Sequence, residues 1–157
     1  MARWEEIEAE APELAAAARR YFDAHVHKTL ATVRRDGSPR ISGIEATFAD
    51  GDLWLAMMWR SVKALDLRRD PRFALHSGSD DPPAWTGDAK LAGVVEEVDD
   101  VARLPAVLRD GRSAHGEAHF FRADILELVV VTLSEARDRL VIEFWHPKRG
   151  VQRIERT

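Results

Sequence analysis

Two Asp-Gly dipeptides, Asp36-Gly37 and Asp50-Gly51, constrain this chain most, because each separates short apolar segments of strand length. An Asp-Gly pair readily supplies the positive-φ positions of a tight hairpin, so the flanking segments are set as antiparallel neighbours. Those segments are Thr29 to Arg35, Arg40 to Phe48 and Leu53 to Trp59. Strand-like segments recur at Phe73 to Ser77, Ala89 to Val98, Phe121 to Leu133 and Leu140 to Trp145. The last two are joined through Ala136-Arg137-Asp138, and Gly78 to Pro83 is a loop. Residues 4 to 24 read as an amphipathic helix, with Leu14, Ala17, Ala18, Tyr21 and Phe22 on one face. Pro12 either kinks that helix or begins a second one. Asp99 to Asp110 reads as a helix interrupted by Pro105. Six or so strands with flanking helices predict a mainly β, closed antiparallel barrel. The near-continuous apolar run Leu126 to Val131 predicts burial on both faces. A covering helix or a second subunit must supply the outer cover.

Residues 1–157 show no repeat, low-complexity tract or linker, so one domain is expected, and 157 residues suffice for a real core. The 45% hydrophobic and 32% charged content is that of a globular chain. No apolar run approaches the ~20 residues that span a membrane, and the N-terminal residues lack a signal-peptide core, so a cytoplasmic location is expected. The absence of cysteine excludes disulfides, thiolate catalysis and Cys-ligated metal. A net charge of −4, without basic residues interleaved with aromatics along a strand face, argues against nucleic-acid binding.

Against that acidic background, residues 60 to 72 carry five basic groups (Arg60, Lys63, Arg68, Arg69, Arg72) and two acidic ones (Asp66, Asp70), a local excess of +3. The segment from Ser61 to Arg72 reads as a short helix between two strands. A helix start offers unpaired N–H groups and positive dipole to an anion. Ser61 can cap the helix or hydrogen-bond a phosphate, and Lys63 adds a full charge. A plain N-cap on a solvated basic face is the alternative.

Ala31-Thr32-Val33, Asp36-Gly37-Ser38-Pro39-Arg40, Ser61-Val62-Lys63 and Asp66-Leu67-Arg68-Arg69-Asp70-Pro71-Arg72 occur in an order that resembles the pyridoxamine 5'-phosphate oxidase-like family. These are flavin-binding split β-barrels, and the Asp66 to Arg72 string is similar to the actinobacterial flavin- and deazaflavin-dependent branch. The resemblance is good over residues 27 to 78 and looser toward the C-terminus. It implies an antiparallel, Greek-key-like split barrel that is homodimeric, with cofactor between the subunits. It implies FMN as cofactor, with the deazaflavin coenzyme F-420 as the alternative, and two-electron hydride transfer on a small organic substrate.

Residue by residue, the resemblance places Ser61 and Lys63 at the cofactor phosphate and the backbone of Ala56, Met57 and Met58 along the ring edge. Arg40 would face the cofactor, or else be a solvent-facing strand arginine. Trp59 and Arg60 would line the pocket, or Trp59 would be only core, and Arg60, Arg68, Arg69 and Arg72 would supply a basic groove for an acidic tail, with alternate helical positions pointing away. Trp145, in Glu143-Phe144-Trp145, would form one wall. No side chain is assigned as a nucleophile or other catalytic group. The family's Arg-x-His pair after this tryptophan is missing from His146 to Arg153, so vitamin B6 is not the expected substrate. Lys148, Arg149 and Arg153 are expected in a solvated tail. His25 and His27 would share a strand face and His115 and His119 a helix face, but neither pair has a third ligand, so no metal site is expected. A non-catalytic flavin-binding or storage module and a haem-binding split barrel remain the alternatives to an oxidoreductase.

Overall fold

A computed structural model describes residues 1–115 and 117–157, with side chains outside 111–115. The chain opens with helices α1 (Trp4–Glu10) and α2 (Pro12–Ala24). Pro12 begins the second helix, at a position where its missing N–H has no partner to lose. Strands β1 (Lys28–Val33), β2 (Pro39–Ile44), β3 (Ala46–Ala49) and β4 (Asp52–Met58) follow, then α3 (Val62–Arg69) and β5 (Arg72–His76). After β6 (Gly87–Glu97) come a 3-10 turn (Val101–Arg103) and α4 (Ala106–His115), as Pro105 interrupts the expected helix. The chain ends with β7 (Ala118–Leu133), β8 (Leu140–His146) and β9 (Gly150–Arg156).

All strand pairs are antiparallel, in the order β2-β1-β5-β6-β7-β4-β3. The segment Arg40 to Phe48, expected as one strand, divides at Glu45: β2 pairs with β1, and β3 pairs with β4 at the other end of the order. One segment therefore bridges both ends of the sheet and closes the barrel. Both Asp-Gly signals are hairpin turns. Asp50 and Gly51 take φ of 51° and 76°, as a two-residue type I′ loop requires. At the other, Gly37 N–H donates to Arg34 O at 2.9 Å with φ of 85° at Gly37, which makes a three-residue loop.

The long strand β7 organises the split. Its first part, Ala118 to Arg122, pairs with β4, and its last part, Leu128 to Leu133, pairs with β8. Between them the register to β6 slips, Ala92 facing Glu127 while Gly93 faces Ile125, so Leu126 is the extra residue of a bulge. The inward positions change parity there, from Phe121, Ala123 and Ile125 to Leu128 and Val130, all buried. This corrects the reading of Leu126 to Val131 as buried on both faces. The apolar run spans a phase change, and Leu126 is 36% exposed. Ala2 fills the unpaired gap by exchanging both backbone hydrogen bonds with Ile125 at 2.8 and 2.9 Å.

Trp4, Ile7, Leu14, Ala18 and Phe22 of the two N-terminal helices join Leu30, Leu55, Leu75, Leu91 and Ile125 in one core. Val98, Leu104 and Leu108 cover Trp54 and Phe120 in a second, smaller cluster. β9 was not expected. Nearly every residue in it is exposed, so it carries no burial signature and is held by its ladder to β8. Among the described residues no helix is long and apolar enough to cross a membrane.

Candidate functional site

The connection from β4 to β5 crosses the barrel end and carries α3 with it, since β7 and β6 lie between those strands in the sheet. On one side β4 pairs with β7 through Met58, but on the other β3 reaches only Leu55. On that side Ala56, Met57 and Met58 therefore present a backbone edge without a ladder partner among the described residues. The chain then turns sharply. Ser61 N–H donates to Met58 O at 3.1 Å, and Arg60 takes the left-handed φ of 57°.

Ser61 is the N-cap of α3, and its carbonyl accepts from Leu65 N–H at 3.1 Å. Its side chain does not cap the helix. The Oγ is buried and has no hydrogen-bond partner among the described residues. An unsatisfied buried hydroxyl costs about 1–3 kcal/mol, so this one needs a function or a partner. Lys63, in the first turn of α3, donates to the Gly43 carbonyl of β2. Burial pushes its ammonium below the usual lysine range.

Ion pairing sorts the other cations of the segment. Asp66, 3% exposed, accepts from Arg40 Nε at 2.7 Å, Arg69 Nη2 at 2.8 Å and Thr32 Oγ1 at 3.1 Å. Burial pushes the Asp66 carboxyl up, but the hydrogen bonds from Arg69, Arg40 and Thr32 outweigh it and hold it below the ordinary value. Arg72 grips Asp70 at 2.6 Å; that hydrogen bond, the largest influence on Asp70, helps bring its carboxyl down to about 2. Arg68 Nε meets Glu97 at 2.9 Å. Among the described residues, Arg60 and Lys63 are the cations of residues 60 to 72 without a carboxylate partner. The two cations left without a carboxylate thus both lie at the helix start, while Arg68, the third charge of the excess, is paired with Glu97 in the last turn. Arg40 Nε is engaged by Asp66, and its side chain is 26% exposed.

A second group supports the turn from below. His119 of β7 is 2% exposed, and its Nε2 accepts the Arg60 N–H at 3.1 Å. Its Nδ1 therefore holds the ring proton and donates it to Glu97 Oε1 at 2.6 Å. The Trp59 ring stacks on the imidazole, with centroids 4.5 Å apart and planes 12° from parallel. His119 thus lies on a strand, not on the expected helix face, and the side chain of His115 lies outside the described residues. His25 and His27 precede β1 in irregular chain and share no strand face. Among the described residues no three His, Asp or Glu side chains could hold a metal.

The structure brings Ser61, Lys63, Arg60 and the Ala56–Met58 edge together at one corner. Met57 is buried, whereas Met58 is 78% exposed. Trp145 lies elsewhere, fully buried in the core, with its Nε1 unpartnered among the described residues. It presents no wall to solvent in this chain. A polar cleft lined by Arg20, Tyr21, His25, Asp80 and Thr86 shares no residue with the corner. Asp66, Glu97 and His119 were not legible as parts of the site. Their partners on other elements are 22 to 59 residues away, and only the tertiary fold joins them.

Known proteins share this architecture. The profile of the family described as pyridoxamine 5'-phosphate oxidase matches residues 14–144. A pyridoxamine 5'-phosphate oxidase-related, FMN-binding protein from Nostoc punctiforme superposes with a TM-score of 0.63 at 14% identity, over 94% of this chain and 96% of that one. A conserved hypothetical protein from Mycobacterium tuberculosis gives 0.57 at 23% identity, over 72% and 79% of the two chains. A haem storage protein from Vibrio cholerae gives 0.55 at 17% identity, over 74% and 89%. No curated protein matches the chain.

Proposed function

The chain belongs to the pyridoxamine 5'-phosphate oxidase family, and from that premise we propose that it is an FMN-dependent oxidoreductase whose β4–α3 corner anchors the cofactor phosphate. The observation that carries this reading is the buried Ser61 hydroxyl at the start of α3, unpartnered among the described residues, with Lys63 two residues on and likewise without a carboxylate among them. A phosphate accepts from a hydroxyl, an ammonium and backbone N–H groups at once, which is the donor set present here. Bound there, FMN would supply two-electron hydride transfer to or from a small organic substrate. This chain's own part is to bind and orient. Ser61 and Lys63 hold the phosphate, the free β4 edge at Ala56–Met58 offers backbone groups to the ring, and Arg60 adds charge at the mouth. Arg40 and Arg69 act through Asp66, fixing α3 against β1 and β2.

The proposed working form is a homodimer. Ile41 of β2, Met58 and Trp59 of the turn, and Val62 and Leu65 of α3 are exposed apolar residues bordering the corner. A second subunit would cover them and complete the pocket.

Two rivals keep a specific footing. The deazaflavin coenzyme F-420 would use the same phosphate donors, but its longer acidic tail needs further free cations. With Arg68, Arg69 and Arg72 paired to carboxylates, that groove is poorly supplied. Haem is favoured by the likeness to the Vibrio cholerae storage protein, but His119 has both ring nitrogens engaged and is no axial ligand as it stands. The test is separate titration of cofactor-free protein with FMN, the deazaflavin and haem, followed by absorbance. Saturable FMN binding, with reduction by a nicotinamide or deazaflavin donor, is expected. Binding of the deazaflavin or a Soret band in its place overturns the cofactor assignment, and a flavin that no donor reduces leaves a storage module.

A further inference from the structure

We infer that His119 is a positioning residue for the phosphate corner, acting as a neutral Nδ1–H imidazole that fixes the Arg60 amide and so aims Ser61. The inference rests on the reading of that corner as a phosphate site.

Arg60 is a non-glycine residue at φ 57°. That conformation is disfavoured for an L-residue and persists where surrounding contacts over-determine it. Here the contacts are identifiable. Ser61 N–H closes the turn onto Met58 O, and Arg60 N–H points into the barrel end and meets His119 Nε2 at 3.1 Å. Trp59 lies flat on the same imidazole. The ring cannot swing, because Glu97 of β6 takes its other nitrogen at 2.6 Å, and Arg68 of α3 holds Glu97 at 2.9 Å. A closed circuit results: the residue preceding Ser61 and the C-terminal turn of α3 are tied together through one buried histidine. The carboxylate selects the tautomer, and the tautomer leaves Nε2 as the acceptor that Arg60 requires. Because Ser61 follows Arg60 directly, the direction of its hydroxyl depends on this bond.

A histidine that only fills space would be indifferent to which nitrogen bears the proton. The distinguishing measurement is 15N NMR of the cofactor-free protein. The expected result is a protonated Nδ1 and unprotonated Nε2 at His119, with slow hydrogen exchange of the Arg60 amide. Observation of the opposite tautomer overturns the proposal without any substitution. Two variants then separate the functions of the ring. His119→Gln retains an acceptor near Nε2, whereas His119→Asn retains a donor near Nδ1 and withdraws that acceptor.

For FMN, affinity within about threefold of wild type is expected for the Gln variant and a loss of about tenfold or more for the Asn variant, the scale of one lost hydrogen bond. Riboflavin, which lacks the phosphate, should bind both variants as it binds wild type. Equal FMN binding by all three proteins, or equal loss of FMN and riboflavin in both variants, overturns the positioning role. If wild type itself shows no preference for FMN over riboflavin, the phosphate reading is what fails. Arg60 amide exchange then decides the clamp: faster in the Asn variant alone upholds it, and equal rates overturn it.

Discussion

Asp66 and Lys63 carry opposite kinds of burial, and each makes a prediction. Asp66 is buried but hydrogen-bonded by three donors, which is why its carboxyl lies below the ordinary value despite desolvation. A depressed folded value means that its contribution is complete above the unfolded value of about 3.9 and fades as pH falls through the folded one. Asp66→Asn should cost about 1.5–3 kcal/mol at neutral pH, since the hydrogen bonds it loses are charge-assisted. Urea unfolding below about pH 4 should show wild type converging on the variant, and parallel curves would contradict the assignment. Lys63, in contrast, is desolvated and bonded to a neutral carbonyl, so its ammonium sits below the usual range. A bound phosphate would raise it again, so FMN affinity should decline as pH rises through that lowered value. In Lys63→Arg, whose guanidinium stays charged, the decline should flatten. Ser61 and Lys63 were legible in the sequence because a hydroxyl and a lysine at a helix start have local meaning. The fate of Arg40 was not, because the carboxylate that claims it lies 26 residues away.

At the scale of elements, the bulge in β7 decides how the split barrel is built. Gly93 faces it, and a Cβ there would lie 2.1 Å from the Asp124 carbonyl oxygen. Gly93→Ala should therefore destabilise the fold by about 1–3 kcal/mol as overpacking against backbone, measurable by urea unfolding, and an unchanged midpoint would contradict this role. The bulge also explains an illegible feature. Period-2 patterning assumes a constant phase, and Leu126 breaks it within an apolar run, so the sequence reads as buried throughout. The hairpins were legible because Asp50-Gly51 has both a composition and a backbone requirement. β9 was not, since Gly150–Arg156 buries almost nothing. Lys148 is exposed in the preceding turn, and Lys148→Ala should leave FMN affinity unchanged; a large loss would bring the tail into the site.

For the whole molecule, a closed antiparallel barrel with a short helix between two of its strands followed from strand-length segments and turns, whereas closure through Glu45 needed the pairing of β2 and β3 with different partners. The exposed apolar rim at Ile41, Met58, Trp59, Val62 and Leu65 predicts self-association. Sedimentation should give a dimer for wild type and a shift toward monomer for Met58→Asp; a monomeric wild type would contradict the shared-pocket arrangement. The narrower proposal is that this corner holds a phosphate. It is tested most directly by comparing FMN with riboflavin in wild type and in Lys63→Ala. Wild type should prefer FMN, and Lys63→Ala should lose about 1.5–3 kcal/mol of FMN affinity, about 10- to 150-fold, with riboflavin binding unchanged. Equal FMN affinity in the two proteins, or equal loss for both ligands, would contradict it.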